Sequence, residues 1–170
     1  MDTELSTNSI ALIALCNEYC QTVEHASESE RDDFVSAMLR LLPRIYIAAS
    51  DMQIPLELEE EEFYIEPALD EDYYDTIRRN VESLMGPDDV FLEVFEEDMK
   101  YSDTPIAASI SEGVADIFQA LYNFIETIKD APSQLIQEAL CALRDDFNNY
   151  WSQTLCNLMR PLNHIKHNNA

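Results

Sequence analysis

Hydrophobic and polar residues alternate along most of the chain with the period of an α-helix. Five segments place apolar side chains three or four residues apart, which puts them on one face of a helix and predicts a buried stripe. The predicted helices cover about residues 7–25, 29–51, 70–86, 104–128 and 133–160. The pattern therefore predicts an all-α fold, an irregular bundle of about five helices in a single domain spanning residues 1–170.

Glycine and proline mark two of the helix boundaries. Gly86 followed by Pro87 is typical of the end of a helix, because glycine accepts the left-handed conformation and proline cannot continue the helix. Thr104 followed by Pro105 predicts the start of the fourth helix, with threonine as the cap and proline in the first turn. Residues 90–99 fit either a short strand or a helical turn, since apolar side chains occupy both alternating positions.

Two further prolines interrupt otherwise helical patterns. Pro43 predicts a kink or a break after Leu42, because proline lacks a backbone donor and clashes with the preceding turn. Pro161 is expected to end the last helix. The tail at about 161–170 is mostly polar, so we expect it to fray.

The helical pattern fails between the second and third helices, at about residues 53–70. Like charges crowd this segment and repel one another, which favours an exposed, extended acidic loop. Residues 51–100 carry 18 acidic and three basic side chains, and so hold more than half of the net charge of −24. An acidic surface of this kind could dock a basic protein partner, bind divalent cations loosely, or simply keep the protein soluble. The glutamates predicted to bind that partner are Glu57, Glu59, Glu60, Glu61, Glu62 and Glu66.

The overall composition excludes several classes of function. With 34 acidic against 10 basic side chains, the protein repels nucleic acid phosphates and anionic lipids. Two glycines in 170 residues argue against a glycine-rich phosphate loop. The longest apolar run, Ile10–Cys16, has seven residues, whereas a membrane helix needs about 20. We therefore expect a soluble protein with neither nucleic acid nor membrane as its partner.

The four cysteines indicate the cellular compartment that we expect for the protein. Cys16, Cys20, Cys141 and Cys156 form no CxxC pair, and each falls on an apolar face of a predicted helix. A free cysteine in such a position behaves as a small hydrophobic residue. The prediction is four reduced, buried thiols in a cytoplasmic protein.

One pair of carboxylates suggests a metal site. Glu112 and Asp116 lie one turn apart at the start of the fourth helix and could share a divalent cation. The stretch SEGVADIFQALYNFIE resembles the second metal-binding helix of the all-α nucleoside triphosphate pyrophosphatases, which carries the pattern ExxD. This resemblance implies a magnesium-dependent nucleotide phosphohydrolase. Here Gly113 stands where that pattern has glutamate, and the glutamates at 93–97 do not reproduce the family's EExxE cluster.

The single tryptophan is the remaining candidate. Trp151 lies in the last predicted helix, and its indole donor needs a partner when it is buried. It marks either the packed centre of the bundle or the wall of a small-molecule pocket. The chain contains no P-loop, dinucleotide-binding, HExxH, nucleophile-elbow or EF-hand motif. The leading hypothesis is therefore a non-enzymatic interaction module without a cofactor; the alternatives are the magnesium hydrolase and a ligand-binding bundle.

Several segments taken in order resemble one known family. They are LLPRIYIAA at 41–49, YYDTIRRNVESLMGPDDVFLEVFEED at 73–98, ASISEGVADIFQALYNFIE at 108–126, and the segment around Trp151. Together they are similar to the bacterial proteins grouped as domain of unknown function 5063. The resemblance implies an all-helical, soluble, single-domain bacterial protein. That family has no assigned activity, so the resemblance implies no functional residue.

Overall fold

Helices make up most of the chain. The computed structural model describes residues 4–93 and 106–168. The helices in these ranges are α1 (Thr7–Glu24), α2 (Arg31–Ser50), α3 (Glu71–Met85), α4 (Ile110–Ile128), α5 (Ser133–Asp146) and α6 (Ser152–His167). A π-helical segment, Phe147–Trp151, joins α5 to α6 without a break, so these two helices form one long helical stretch. The predicted all-α bundle of about five helical segments is confirmed.

A short hairpin precedes the fourth helix. Strand β1 (Val90–Leu92) pairs antiparallel with β2 (Ala107–Ser109), and Phe91 lies opposite Ala108. Residues 90–92 are therefore a strand, while 94–99 lie outside the described residues.

The hairpin also changes the start of α4. This helix begins at Ile110, and the Ser109 hydroxyl caps it by accepting the Glu112 backbone N–H at 3.2 Å. The prediction that the helix starts near 104 is wrong, because residues 107–109 pair with β1; Thr104 and Pro105 themselves lie outside the described residues.

Helix α4 forms the centre of the core. Its apolar stripe is fully buried and contacts α1, α3, α5 and α6, whereas α2 packs against α1 and α6. Inside this core the Tyr19 hydroxyl of α1 donates to the Val114 carbonyl at 2.8 Å. The stripe consists of Ile110, Val114, Ile117, Phe118, Leu121 and Phe124.

Neither internal proline ends its helix. Helix α2 runs through Pro43 without a break, contrary to the alternative of an interruption after Leu42. Apolar side chains on both sides of the proline, among them Leu42 and Ile45, are buried in the core. Their packing offsets the loss of one backbone hydrogen bond.

The predicted fraying of residues 161–170 is wrong for the part of the tail that is described. Helix α6 continues through Pro161 to His167. Leu162 is fully buried and Ile165 is nearly so, and the Lys166 ammonium donates to the Ser36 hydroxyl of α2 at 2.6 Å. Burial of these two apolar side chains holds the last turns in place, although the residues between them are polar.

The cysteine prediction holds for three of the four thiols. Cys16, Cys20 and Cys141 are buried and free, but Cys156 is exposed because it lies on the outer face of α6, next to the buried Leu155. Burial raises the pKa of Cys20 to about 12 and raises that of Cys16 as well. No helix in the described part of the chain has both the length and the apolar character required to cross a membrane.

Candidate functional site

A polar stripe runs along the otherwise buried helix α4. Glu112, Asp116, Gln119 and Asn123 follow one another at intervals of three or four residues, so they share one face of the helix. The first three are exposed and Asn123 is half-buried. This stripe is the part of the central helix that the neighbouring helices leave open.

Two adjoining clefts lie along this stripe, and together we call them the α4 groove. The first, of about 250 Å³, lies between the β1–β2 hairpin, α4 and α6, and contains Glu112 and Asp116. The second, of about 380 Å³, lies between α4, the π-helical segment and the start of α6, and contains Trp151. Asp116 and Thr154 line both clefts. The structure therefore brings the three residues predicted for the metal and ligand sites to one groove.

Asp116 is held in place by a tyrosine from α3. The Tyr74 hydroxyl donates to Asp116 Oδ1 at 2.5 Å. Burial raises the pKa of Tyr74, and the hydrogen bond to Asp116 and its charge raise it further. The phenol is therefore protonated at neutral pH and remains a donor to the carboxylate.

The first cleft holds three carboxylates, but the three do not converge as ligands of one metal ion. Glu93 Oε1 accepts a hydrogen bond from Asn157 Nδ2 at 3.0 Å, and Asp116 accepts one from Tyr74. Within the ranges 4–93 and 106–168, no three metal-ligating side chains converge on one point. Magnesium bound by Glu112 and Asp116 remains a prediction.

The departure from the ExxD pattern has a packing explanation. Gly113 faces α6, and a Cβ atom placed on it would lie 2.8 Å from Leu158 Cδ2. Leu158 is buried, so this position has no room for the glutamate of the pyrophosphatase pattern without moving α6. The close approach of the two helices therefore explains why glycine and not glutamate occupies position 113.

Trp151 belongs both to the core and to the groove. It is 3% exposed, and its ring packs edge-to-face on Phe147 at 4.7 Å between centroids. The same residue lines the second cleft. Its Nε1–H has no acceptor among the described residues. Both sequence interpretations of this tryptophan are therefore compatible with its position.

Sequence reasoning missed several residues of the groove. Asp146 lines the second cleft, and burial raises its pKa, with a further contribution from the charge of Asp145. Gln119 and Thr154 line the groove as well. The polar positions along α4 are visible as a helical stripe in the sequence. That Asp146 faces the same groove as Thr154 does not follow from a 3.6-residue period, because the π-helical turn lies between these two residues and shifts their relative phase.

The predicted acidic loop occupies the segment between α2 and α3. Its regular structure is a single 3-10 turn, Leu56–Leu58. Leu58 and Leu69 are buried and anchor the segment, and Asn123 Oδ1 accepts the backbone N–H groups of Ala68 and Leu69 at 2.9 Å. The loop is therefore attached to the body of the protein near its start, at Leu58, and at its end.

The six glutamates of the acidic loop point to solvent. All are exposed, and none forms an ion pair with a described residue; they are Glu57, Glu59, Glu60, Glu61, Glu62 and Glu66. Two large apolar side chains lie among them, Leu56 at 81% and Tyr64 at 83% exposure. The Tyr64 hydroxyl donates to Glu62 at 2.9 Å, and this hydrogen bond raises the pKa of the tyrosine.

Comparison with known proteins identifies the family. The family model described as "Domain of unknown function (DUF5063)" matches residues 3–168. The chain belongs to the DUF5063 family. The sequence resemblance to this family is thereby confirmed. No functionally curated protein matches the chain.

A solved structure shares the fold of this DUF5063 protein. The crystal structure of protein BF1032 from Bacteroides fragilis superposes with a TM-score of 0.80 at 25% sequence identity. The match covers 97% of this chain and 96% of the other. The likeness therefore extends over the helical bundle and the groove region together.

Proposed function

We propose that this DUF5063 protein is a non-enzymatic interaction module of the bacterial cytoplasm whose acidic loop binds a basic segment of a partner protein. The observation that carries the proposal is the set of six exposed glutamates that form no ion pair with a described residue, in a loop that also exposes Leu56 and Tyr64. A partner that supplies lysine or arginine would compensate these charges. The two exposed side chains would supply apolar contact area.

The attachment of the loop supports this role. Leu58 and Leu69 are buried, and Asn123 fixes the end of the segment through two hydrogen bonds. A loop anchored in this way loses less conformational entropy on binding than a free segment would. Its concentrated negative charge accelerates the encounter with a positively charged surface.

A pair of triple variants with equal charge tests the proposal. Glu60, Glu61 and Glu62 are changed to Gln in the loop variant; Glu18, Glu28 and Glu30, all exposed outside the loop, are changed to Gln in the control. Each variant removes three negative charges. Binding is measured by affinity capture of partners from the source cells, and each captured protein is then purified and titrated by calorimetry.

The loop variant is expected to lose the captured partner, and the control variant is expected to retain it. The affinity for the purified partner should fall with rising salt, because exposed charges are screened. A partner that binds the wild type and both variants with equal affinity would contradict the proposal. The same holds for an affinity that is independent of salt.

A further inference from the structure

We propose that the basic segment of the partner enters a cleft at the start of the acidic loop in an extended conformation, and that Gln137 binds its backbone. The inference deepens the proposed function and rests on it, since the segment is taken to be the one that the loop glutamates attract. The cleft, of about 370 Å³, lies between Ser6 and Ser9 at the start of α1, residues 53–56 of the acidic loop, and Gln137 of α5. We call it the α1–α5 cleft.

The first argument is the buried amide of Gln137 in the wall of this cleft. The residue is only 5% exposed, and neither its amide oxygen nor its amide nitrogen forms a hydrogen bond with a described residue. Neither atom is sealed from solvent, because within residues 4–93 and 106–168 the sealed polar side-chain atom that lacks a partner is Trp151 Nε1. The amide therefore meets solvent through the cleft that Gln137 lines. A buried polar group without a partner calls for an explanation, and a ligand in the cleft provides one.

The chemistry of a carboxamide favours a peptide backbone as its ligand. The amide oxygen accepts hydrogen bonds and the amide nitrogen beside it donates them. In an extended chain the N–H and C=O of one residue point to the same side, which is how a hydrogen-bonded pair forms in an antiparallel sheet. One residue of an extended segment can therefore occupy both amide atoms of Gln137. A helical segment cannot, because its backbone groups bond to one another.

Two serines at the start of α1 supply a second donor to the cleft. The Ser6 hydroxyl caps the helix by accepting the Ser9 backbone N–H, and the two hydroxyls bond to each other, both at 3.0 Å. The bond between the hydroxyls uses one of their two protons, and the other proton has no acceptor among the described residues. Ser9 is buried and lines the cleft. A carbonyl of the entering segment can accept this proton.

The edge of the cleft suits a basic side chain. Leu56, which is highly exposed, lines the cleft and directly precedes Glu57, the first of the six loop glutamates. Glu4 is an exposed carboxylate at the same cleft and forms no ion pair with a described residue. The aliphatic stem of a lysine can pack on Leu56 while its ammonium group pairs with Glu4 or Glu57.

A pair of equally charged oligomers tests for recognition of the backbone. The probe is acetyl-hexalysine amide. The control is the peptoid that carries the same six aminobutyl side chains on its backbone nitrogens and therefore lacks backbone N–H donors. Both are titrated into the wild type by calorimetry at constant ionic strength. We expect the peptide to bind about fivefold or more tightly than the peptoid, because the peptoid cannot donate to the Gln137 oxygen. Equal affinities, or no binding of the peptide, would overturn the proposal.

Variants of two glutamines locate the contact. Gln137→Met keeps the length of the side chain but removes the amide, and should weaken hexalysine binding about five- to tenfold. Gln21→Met, the same change at an exposed position near the end of α1, should leave the affinity unchanged. Equal affinity of wild type and Gln137→Met for hexalysine would refute the inference.

Stability provides a second measurement on the same variant. The free energy of unfolding of Gln137→Met should be no lower than that of the wild type, because the amide has no hydrogen bond to a described residue that the change could break. A destabilised Gln137→Met would show that the amide serves the fold, and the inference would fail. The comparison of peptide with peptoid uses the wild type, so it holds whether or not the variant folds.

The two proposals fail in different ways. Hexalysine that binds through the loop alone should lose affinity in the variant with Glu60, Glu61 and Glu62 changed to Gln and keep it in Gln137→Met. The acidic loop would then bind basic segments without the α1–α5 cleft. The opposite result, a loss in Gln137→Met with equal affinity in the loop variant, would support the cleft and contradict the role of the loop glutamates.

Discussion

Asp89 is a carboxylate at 4% exposure beneath the first turn of α4. It accepts the Ser111 backbone N–H at 2.8 Å and the Ser111 hydroxyl at 2.7 Å. Asp89→Ala leaves the Ser111 backbone N–H buried without a partner and leaves its hydroxyl only the longer contact with the Ser109 hydroxyl at 3.4 Å, so we expect the free energy of unfolding to fall by about 2–4 kcal/mol. Urea unfolding measures this change.

The neighbouring residue provides the control for that measurement. Asp88 forms an ion pair with Arg31 at the surface, where both side chains are partly exposed. Asp88→Ala should therefore cost about 1 kcal/mol or less. Equal losses in the two variants would show that the buried hydrogen bonds of Asp89 do not stabilise the start of α4.

Tyr19 gives the protein a specific sensitivity to alkaline pH. Burial raises its pKa well above the ordinary value of 10, and nearby Cys20 and Asp116 raise it further. Below pH 10 the phenol is protonated in both the folded and the unfolded chain. Above pH 10 only the unfolded chain releases the proton, so the free energy of unfolding falls as pH rises.

The variant Tyr19→Phe lacks this titration. It should be about 1 kcal/mol less stable than wild type at neutral pH, because it loses the hydrogen bond to Val114. The difference in the free energy of unfolding between wild type and Tyr19→Phe should narrow above about pH 10, by up to about 1.4 kcal/mol per pH unit. Tyr150→Phe, which removes an exposed hydroxyl, is the control. Urea unfolding at several pH values measures this difference. A difference that stays constant above pH 10 would contradict the claim that Tyr19 releases its proton only in the unfolded chain.

At the scale of elements, the contact of α4 with α6 depends on Gly113. Gly113→Ala gains about 1 kcal/mol of helix propensity but loses about 1–3 kcal/mol through the clash with the buried Leu158. We expect a net loss of about 1 kcal/mol. In a Leu158→Ala background the clash is absent, so the same change should stabilise the protein. A double-mutant cycle by chemical unfolding measures the coupling, and additive effects would contradict the proposed contact.

Helix boundaries could be predicted where a local residue type determines them. Gly86 ends α3 as expected, with φ of +59°, a conformation that favours glycine. The start of α4 could not be predicted in this way, because it depends on pairing between Val90–Leu92 and Ala107–Ser109, which are distant in sequence. The end of α6 was missed because Leu162 and Ile165 contribute only two apolar positions to a polar tail.

In the candidate site, too, the individual residues could be predicted from the local sequence, whereas their assembly could not. The sequence singled out Glu112, Asp116 and Trp151 separately, each from its local pattern. Their convergence on one groove depends on the packing of α4 against α6 and on the π-helical segment. Asp146 is the last residue of α5, and the segment after it shifts the phase of Thr154 relative to Asp146, which the 3.6-residue period does not describe.

At the scale of the whole molecule, the net charge of −24 opposes the folded state through self-repulsion. The acidic loop concentrates this cost, because its six glutamates form no ion pair with a described residue that would offset it. Charges that lower stability persist when they serve another purpose, and partner binding is the purpose proposed here.

Self-repulsion within the acidic loop predicts the sign of a stability change. The loop variant with Glu60, Glu61 and Glu62 changed to Gln should be more stable than wild type at low ionic strength, by about 0.5–1 kcal/mol, because neighbouring like charges are removed. The gain should shrink at high salt, where the charges are screened. The control with Glu18, Glu28 and Glu30 changed to Gln should gain less, since those residues lie apart from the loop. Chemical unfolding at two salt concentrations measures both variants. A loss of stability in the loop variant would mean that the glutamates stabilise the fold. Their presence would then need no binding role to explain it.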